Sequence, residues 1–202
     1  AYYYRGMLYM VRGNIDRALA DFNGAIRLDG KSAEAHLARA GVYAMKEEQD
    51  RAIADVTQVI QLVPNSAMPY YNRGYSWFAK GDYDKAIADY SEAIRLNPRL
   101  AVAYNNRCLS RGVVGKDLVG ALKDCDEAIK LLPNNLDALD TRGFIYLKLG
   151  DFPVAIDEYN ASLQIEPNRA RSLYGRGLAK ARSGDRTGGA ADKAAAVKLA
   201  PK

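Results

Sequence analysis

The sequence predicts an all-α protein built from six copies of one two-helix unit. Three observations carry that prediction. Prolines recur at Pro64, Pro98, Pro133, Pro167 and Pro201, with spacings of 34, 35, 34 and 34 residues. Small residues recur in fixed columns between these markers. The segments themselves carry apolar residues at the 3.6-residue period of a helix. An internal period of this length settles the architecture before any single residue is weighed. The units are 1–32, 33–66, 67–100, 101–135, 136–169 and 170–202, and they are expected to form one domain over 1–202.

The first unit lacks the opening two positions, and Gly30 stands where proline stops most of the others. Its second helix is expected to begin at Asp16 as N-cap, as the second unit's would at Asp50 and the third's at Asp84. In the third unit the first helix runs over 67–80 and ends at Gly81, which suits a left-handed C-terminal turn. Ala86, Ile87, Tyr90, Ala93, Ile94 and Asn97 then share one helical face, and Asn97-Pro98 closes it. The fourth unit has one extra residue in its central turn. Pro153 of the fifth falls in the first turn of a helix, where its missing N–H costs nothing. The sixth departs from the pattern, with Gly189 under the alanines and Lys193 under the larger residues. A terminal repeat has no neighbour on its outer side, so polar replacements are expected there. An anion-docking surface is the alternative use of its positive charge.

The columns are consistent. Under Gly74 stand Gly6, Ala40, Cys108, Gly143 and Gly177; under Ala86 stand Ala18, Ala52, Ala121, Ala155 and Gly189. Under Tyr90 come Phe22, Val56, Cys125, Tyr159 and Lys193. The unit YYNRGYSWFAKGDYDKAIADYSEAIRLNP thus shows, in order, the aromatic, glycine, aromatic, alanine, aromatic, alanine and proline signature that resembles the tetratricopeptide repeat (TPR) family. The resemblance implies a right-handed α-solenoid of stacked antiparallel helical hairpins, the TPR superhelix, held by neighbour-to-neighbour burial.

Composition sets the outer bounds. Hydrophobic residues make up 49% and charged residues 26%, which is globular. No apolar run reaches the ~18 residues of a transmembrane helix. The net charge of +5 is uneven: residues 169–202 hold nine Lys/Arg against Asp185 and Asp192, while the rest is slightly acidic. A nucleic-acid binder more often shows a basic stripe along its length, so such a partner is not expected. The chain opens AYYYRGM without an initiator methionine, as expected of a fragment or a processed chain. A removed leader would leave no trace, and the compartment stays open, a cytoplasmic one being the default.

Catalytic chemistry is not expected. His36 is the one histidine and stands in a packing column with Tyr2, Tyr70, Tyr104, Leu139 and Leu173. No CxxC, HExxH, GxGxxG or phosphate-loop spacing occurs, so neither metal nor cofactor is expected. Cys108 and Cys125 fall in the Gly74 and Tyr90 columns of one unit, on facing helices. Two readings stay open there: small buried thiols filling a helix contact, or a disulfide.

The family resemblance implies that the first helices of successive units line a groove that takes ligand peptides. The matching residues are Tyr3, Tyr4, Met7 and Met10; Leu37, Ala38, Gly41 and Met45; Met68, Tyr71, Asn72, Tyr75, Phe78 and Ala79. Further along stand Asn105, Asn106 and Leu109; Asp137, Asp140, Thr141, Phe144 and Leu147; then Arg171, Tyr174, Leu178 and Arg182. The first four units offer an aromatic, Met-rich, nearly uncharged surface suited to adaptable contact. Asn72 and Asn106 share a column and resemble asparagines that clamp a peptide backbone, an amide being donor and acceptor together. Lysine is missing from the Tyr71 column and arginine from the Asn72 column, so the carboxylate-clamp mode of the co-chaperone subclass is not expected. Asp137 and Asp140 are expected to dock a ligand's Lys or Arg.

One column is unusual. Arg5, Arg39, Arg73, Arg107, Arg142 and Arg176 recur in all six units, facing an acidic column of Asp21, Asp55, Asp89, Asp124, Glu158 and Asp192. The separation is 16 residues in five units and 17 in the fourth. In an antiparallel hairpin that spacing sets guanidinium beside carboxylate, and a ladder fixing hairpin register is expected rather than a row of anion sites. Whether each arginine serves its own unit or a neighbour stays open. The expected function is a scaffold binding a partner's peptide or helix. The alternatives are a regulatory or targeting module of a larger, possibly enzymatic protein, and a self-assembling solenoid.

Overall fold

In the computed structural model, residues 1–199 are described, and Pro201, the last of the proline markers, lies outside them. Twelve helices occupy the described residues: α1 (Tyr2–Val11), α2 (Ile15–Leu28), α3 (Ala33–Met45), α4 (Gln49–Leu62), α5 (Ala67–Ala79), α6 (Tyr83–Leu96), α7 (Ala101–Val114), α8 (Leu118–Leu131), α9 (Leu136–Leu149), α10 (Phe152–Ile165), α11 (Ala170–Ser183) and α12 (Arg186–Leu199). They pack in consecutive pairs, α1 on α2 through α11 on α12. The fold is all-α, a run of helical hairpins. Two compact units emerge, Ala1–Pro98 and Arg99–Lys202. In the first, α2 packs on α3 and α4 on α5; in the second, α8 packs on α9, α10 on α11, and α9 also touches α7 and α11. No helix among the described residues is long and apolar enough to cross a membrane.

Each hairpin closes by fitting a bulky side chain of its second helix over a small residue of its first. A Cβ added to Gly74 would stand 2.8 Å from the Tyr90 ring, and one on Gly6 would stand 2.8 Å from Phe22. Tyr90, Phe22 and the alanines Ala18, Ala52, Ala86, Ala121 and Ala155 are all buried. In the fourth hairpin the same two columns are joined covalently: Cys108 and Cys125 form a disulfide with Cα atoms 5.6 Å apart. Of the two readings open from sequence, the disulfide is the one realised.

The turns correct the capping assignments. Asp16, Asp50 and Asp84 sit within the first turns of α2, α4 and α6, while Asn14, Glu48 and Asp82 hold the N-cap positions. A carboxylate in the first turn still meets the positive end of the helix dipole. Two of these acids are used otherwise: Lys46 Nζ donates to Asp16 at 3.0 Å, and Lys80 Nζ donates to Asp50, in each case reaching back to the preceding hairpin. True side-chain caps occur at Ser32, Asp117, Asn135 and Asp151. Pro153 lies in the first turn of α10 as expected. Gly13, Gly81, Gly115, Gly150 and Gly184 adopt positive φ at the hairpin turns, and Glu47 holds the equivalent place in the second hairpin at φ 60°.

Candidate functional site

The arginine column and the acidic column meet in every hairpin. Arg73 donates through Nε and one amino group to both oxygens of Asp89 at 2.8 Å, the parallel two-bond geometry. Arg5–Asp21, Arg39–Asp55, Arg107–Asp124 and Arg176–Asp192 repeat it at 2.6–2.9 Å. In the fifth hairpin Arg142 donates to Glu158 at 2.9 Å. The acids are buried or nearly so, while the arginines keep an exposed edge. The Asp192 carboxyl is driven upward by burial, yet hydrogen bonds from Arg176 and Lys180 prevail and hold its pKa below the usual value.

A second half of this device was not seen in the sequence. The remaining amino group of four of the arginines reaches back 16 residues to the preceding hairpin: Arg39 to Asn23 at 2.7 Å, Arg73 to Thr57 at 3.3 Å, Arg142 to Asp126 at 2.8 Å and Arg176 to Asn160 at 2.9 Å. The signal was present, since the column is polar at Asn23, Thr57, Ser91, Asp126 and Asn160, the five units followed by another, and apolar only at Ala194 of the last. Each of these four arginines therefore ties its own hairpin and couples it to the one before. Tyr2, Tyr70 and Tyr104 lie beneath the guanidinium of the arginine three residues on, with ring centres 5.4–5.8 Å away. His36, in that column, does more than pack. Its Nδ1 lies 2.9 Å from Asp55 and its Nε2 3.2 Å from the Gly30 carbonyl.

The groove residues divide between exposure and core. In the first unit Tyr4, Met45, Met68 and Tyr75 are 46–73% exposed. Tyr3, Met7 and Met10 are half-buried against the Phe22 and Val42 core. Tyr71 lies 5.9 Å from the Tyr90 ring and Phe78 5.3 Å from Tyr83, so both are partly committed to the hairpin. Between α3, α4 and α5 a cavity of about 160 Å³ opens, lined by Leu37, Gly41, Ala44, Val56, Asn72 and Tyr75 among others. Gly41 leaves it roofless, for a Cβ there would touch nothing.

In the second unit a larger cavity of about 290 Å³ lies against α7, α9, α10 and α11. Leu109, Phe144, Leu147, Tyr174 and Leu178 line it, with Tyr159 and Gly175 at its floor and Asp140 and Arg171 as its two charged residues. The floor depends on Gly175: a Cβ there would fall 2.3 Å from the Tyr159 ring. Burial and then the charge of Asp140 push the Tyr159 hydroxyl above the ordinary phenol pKa, so it is neutral and a donor. Sequence reasoning assigned Tyr159 to hairpin packing and passed over Gly175, although a glycine in the column of Asn72 and Asn106 was a legible hint.

Three expected groove residues are buried, Asp140 at the edge of this same cavity. Asp140 is 1% exposed, bonded by Arg169 Nε at 2.7 Å and by the Ser172 hydroxyl at 2.5 Å. The same Arg169 donates to Asp137. For Asp140 the expectation of a ligand's cation is corrected: Arg169, 29 residues on, already occupies it, because a buried carboxylate must be compensated within the fold, whereas Asp137 keeps an exposed side chain. Thr141 is buried and bonds back to the Asp137 carbonyl. Asn105 is buried too, with its amide donating to Asn106 at 3.3 Å.

Family models described as tetratricopeptide repeat match residues 3–67, 67–100 and 136–169, together most of the chain. Among solved structures, a chain of the APC/C hetero-tetramer Cut9–Hcn1 superposes with TM-score 0.84 at 19% identity; the match covers all of this chain and 40% of that one. PilW, a type IV pilus biogenesis factor, gives 0.86 at 19% identity, covering 96% of this chain and 89% of its own. YrrB, described as a TPR protein with an unusual peptide-binding site, gives 0.66 at 21% identity, covering 90% and 93%. At these identities the likeness is one of fold. No curated protein sequence matches.

Proposed function

Because the chain belongs to the tetratricopeptide repeat family, we propose that it is a protein-interaction scaffold whose first-helix surface takes a peptide or helical segment of a partner. The observation that carries this reading is the pair of open apolar cavities, one in each compact unit, both walled by first-helix residues. Apolar concavities with a few polar groups are the usual form of a recognition site. Tyr75 and Tyr174, each about half exposed, stand at the two openings with area ready to be covered. Tyrosine in that position gives large contact at low entropic cost. Asn72 at the first cavity offers an amide that can pair with a peptide group. The peptide-binding description of YrrB supports the reading by analogy of fold. The reading is non-catalytic, since the one histidine is committed to Asp55 and a carbonyl.

The test is to pan a phage-displayed random dodecapeptide library on the protein and measure enriched peptides by fluorescence anisotropy. Tyr75→Ala or Tyr174→Ala should weaken binding about thirty-fold with little change in melting temperature, a buried aromatic anchor being worth about 2 kcal/mol. Enriched peptides that ignore both substitutions would place recognition elsewhere and end the proposal.

A further inference from the structure

We infer that the second unit's cavity selects a partner segment carrying one apolar anchor side chain flanked by Asp or Glu. This rests on the groove reading above and adds the sign of the charge. The acids that would repel such a segment are engaged within the fold: buried Asp140, which lines the cavity, by Arg169 and Ser172, and exposed Asp137 and Glu166 by the same Arg169. The cations that would attract it are not. Arg171 lines the cavity and Arg182 continues the stripe Arg171, Tyr174, Leu178 on α11, and neither has a hydrogen bond or ion pair among the described residues. Lys148 of α9 has no carboxylate partner among them either. Its ammonium lies 5.5 Å from the ring centre of Phe144, a wall of the cavity, and 3.4 Å from the Val113 carbonyl. The other basic groups nearby are engaged: Arg176 and Lys180 on Asp192, Arg111 on Asp124. Of the acids, Asp185 caps α12 through the Gly188 amide. An apolar basin is thus bordered by three uncompensated cations.

The spacing fixes the ligand pattern. Arg171 and Arg182 are separated by eleven helical steps, about 16 Å along the axis. An extended peptide covers that in about five residues. With the anchor over Tyr174 and Leu178, the carboxylates fall two or three positions to either side. A basin of about 290 Å³ accommodates a Leu or Phe side chain.

The probes are fluorescein-labelled nonapeptides with Leu, Phe or Trp at the centre and Asp, Asn or Lys at the second and third positions on each side, titrated in 50 mM NaCl. The Asp series should bind about ten-fold tighter than the Asn series, as expected of a few rim-exposed ion pairs, and the gap should close by 500 mM NaCl. The double variant Arg171→Glu/Arg182→Glu should reverse the order, favouring the Lys series, with the melting temperature held. Equal binding of the Asp and Asn series overturns the charge selection while leaving the apolar groove standing. Failure of every series, or binding that survives Leu178→Asp, overturns the groove at this unit as well. An anionic vesicle or a single-stranded oligonucleotide bound through the same arginines in place of the peptides also overturns the inference.

Discussion

Replacing Arg73 with methionine removes three hydrogen bonds, two to Asp89 at 2.8 Å and one to Thr57 at 3.3 Å. The loss falls mainly on Asp89. Its side chain is 9% exposed, so the carboxylate is left in the hairpin with neither water nor a counter-charge. Breaking a buried pair by removing one partner costs roughly 3–5 kcal/mol. Arg73 itself keeps 22% of its side chain exposed, so water can enter at that edge and the lower figure, about 3 kcal/mol, applies. In an array where stability is a sum of repeat and interface terms, the effect should be local. Native-state hydrogen exchange should therefore show amides of α5 and α6 losing about a hundred-fold in protection, with α1 and α2 changing less. The double variant Arg73→Met/Asp89→Leu should recover most of the loss, because it removes the buried charge together with its partner. Unchanged exchange in the single variant, or a double variant worse than either single one, would refute the idea that the pair holds the hairpin in register.

Two further outcomes follow from other hairpins. Reducing the Cys108–Cys125 disulfide, or replacing both residues with alanine, frees a loop with a sequence separation of 17. Loop-closure entropy puts the cost at about 3 kcal/mol; coincident urea midpoints with and without reductant would contradict it. Glu47→Gly should stabilise the second hairpin by about 0.5–1 kcal/mol, since Glu47 alone among the equivalent turn residues holds a left-handed backbone with a Cβ. A lower melting temperature would show that the Glu47 side chain matters more than its backbone.

Much of the fold was legible because a repeat prints its packing six times. Gly74 beside Tyr90 says little once; with Gly6 and Phe22 or Gly143 and Tyr159 it marks two helices in close approach. The misread caps show the limit of local rules. Asp16, Asp50 and Asp84 lie two residues past their caps, and propensity does not separate an N-cap acid from one in the first turn. Asp140 shows the limit of column logic. Register places it in the groove, but Arg169, 29 residues on, bends back to claim it.

By itself, then, the sequence determined the twelve helices, their pairing and the arginine–acid ladder, because each depends on residues 3 to 17 positions apart that an antiparallel hairpin must bring together. Only the tertiary structure decided that Cys108 and Cys125 are bonded, that four of the arginines also grip the preceding hairpin, and which charges at the second cavity are spent. Those outcomes depend on how one hairpin sits on the next and on competition between neighbours for a few buried carboxylates. A charged side chain's availability is set by what surrounds it in space, which its column does not encode.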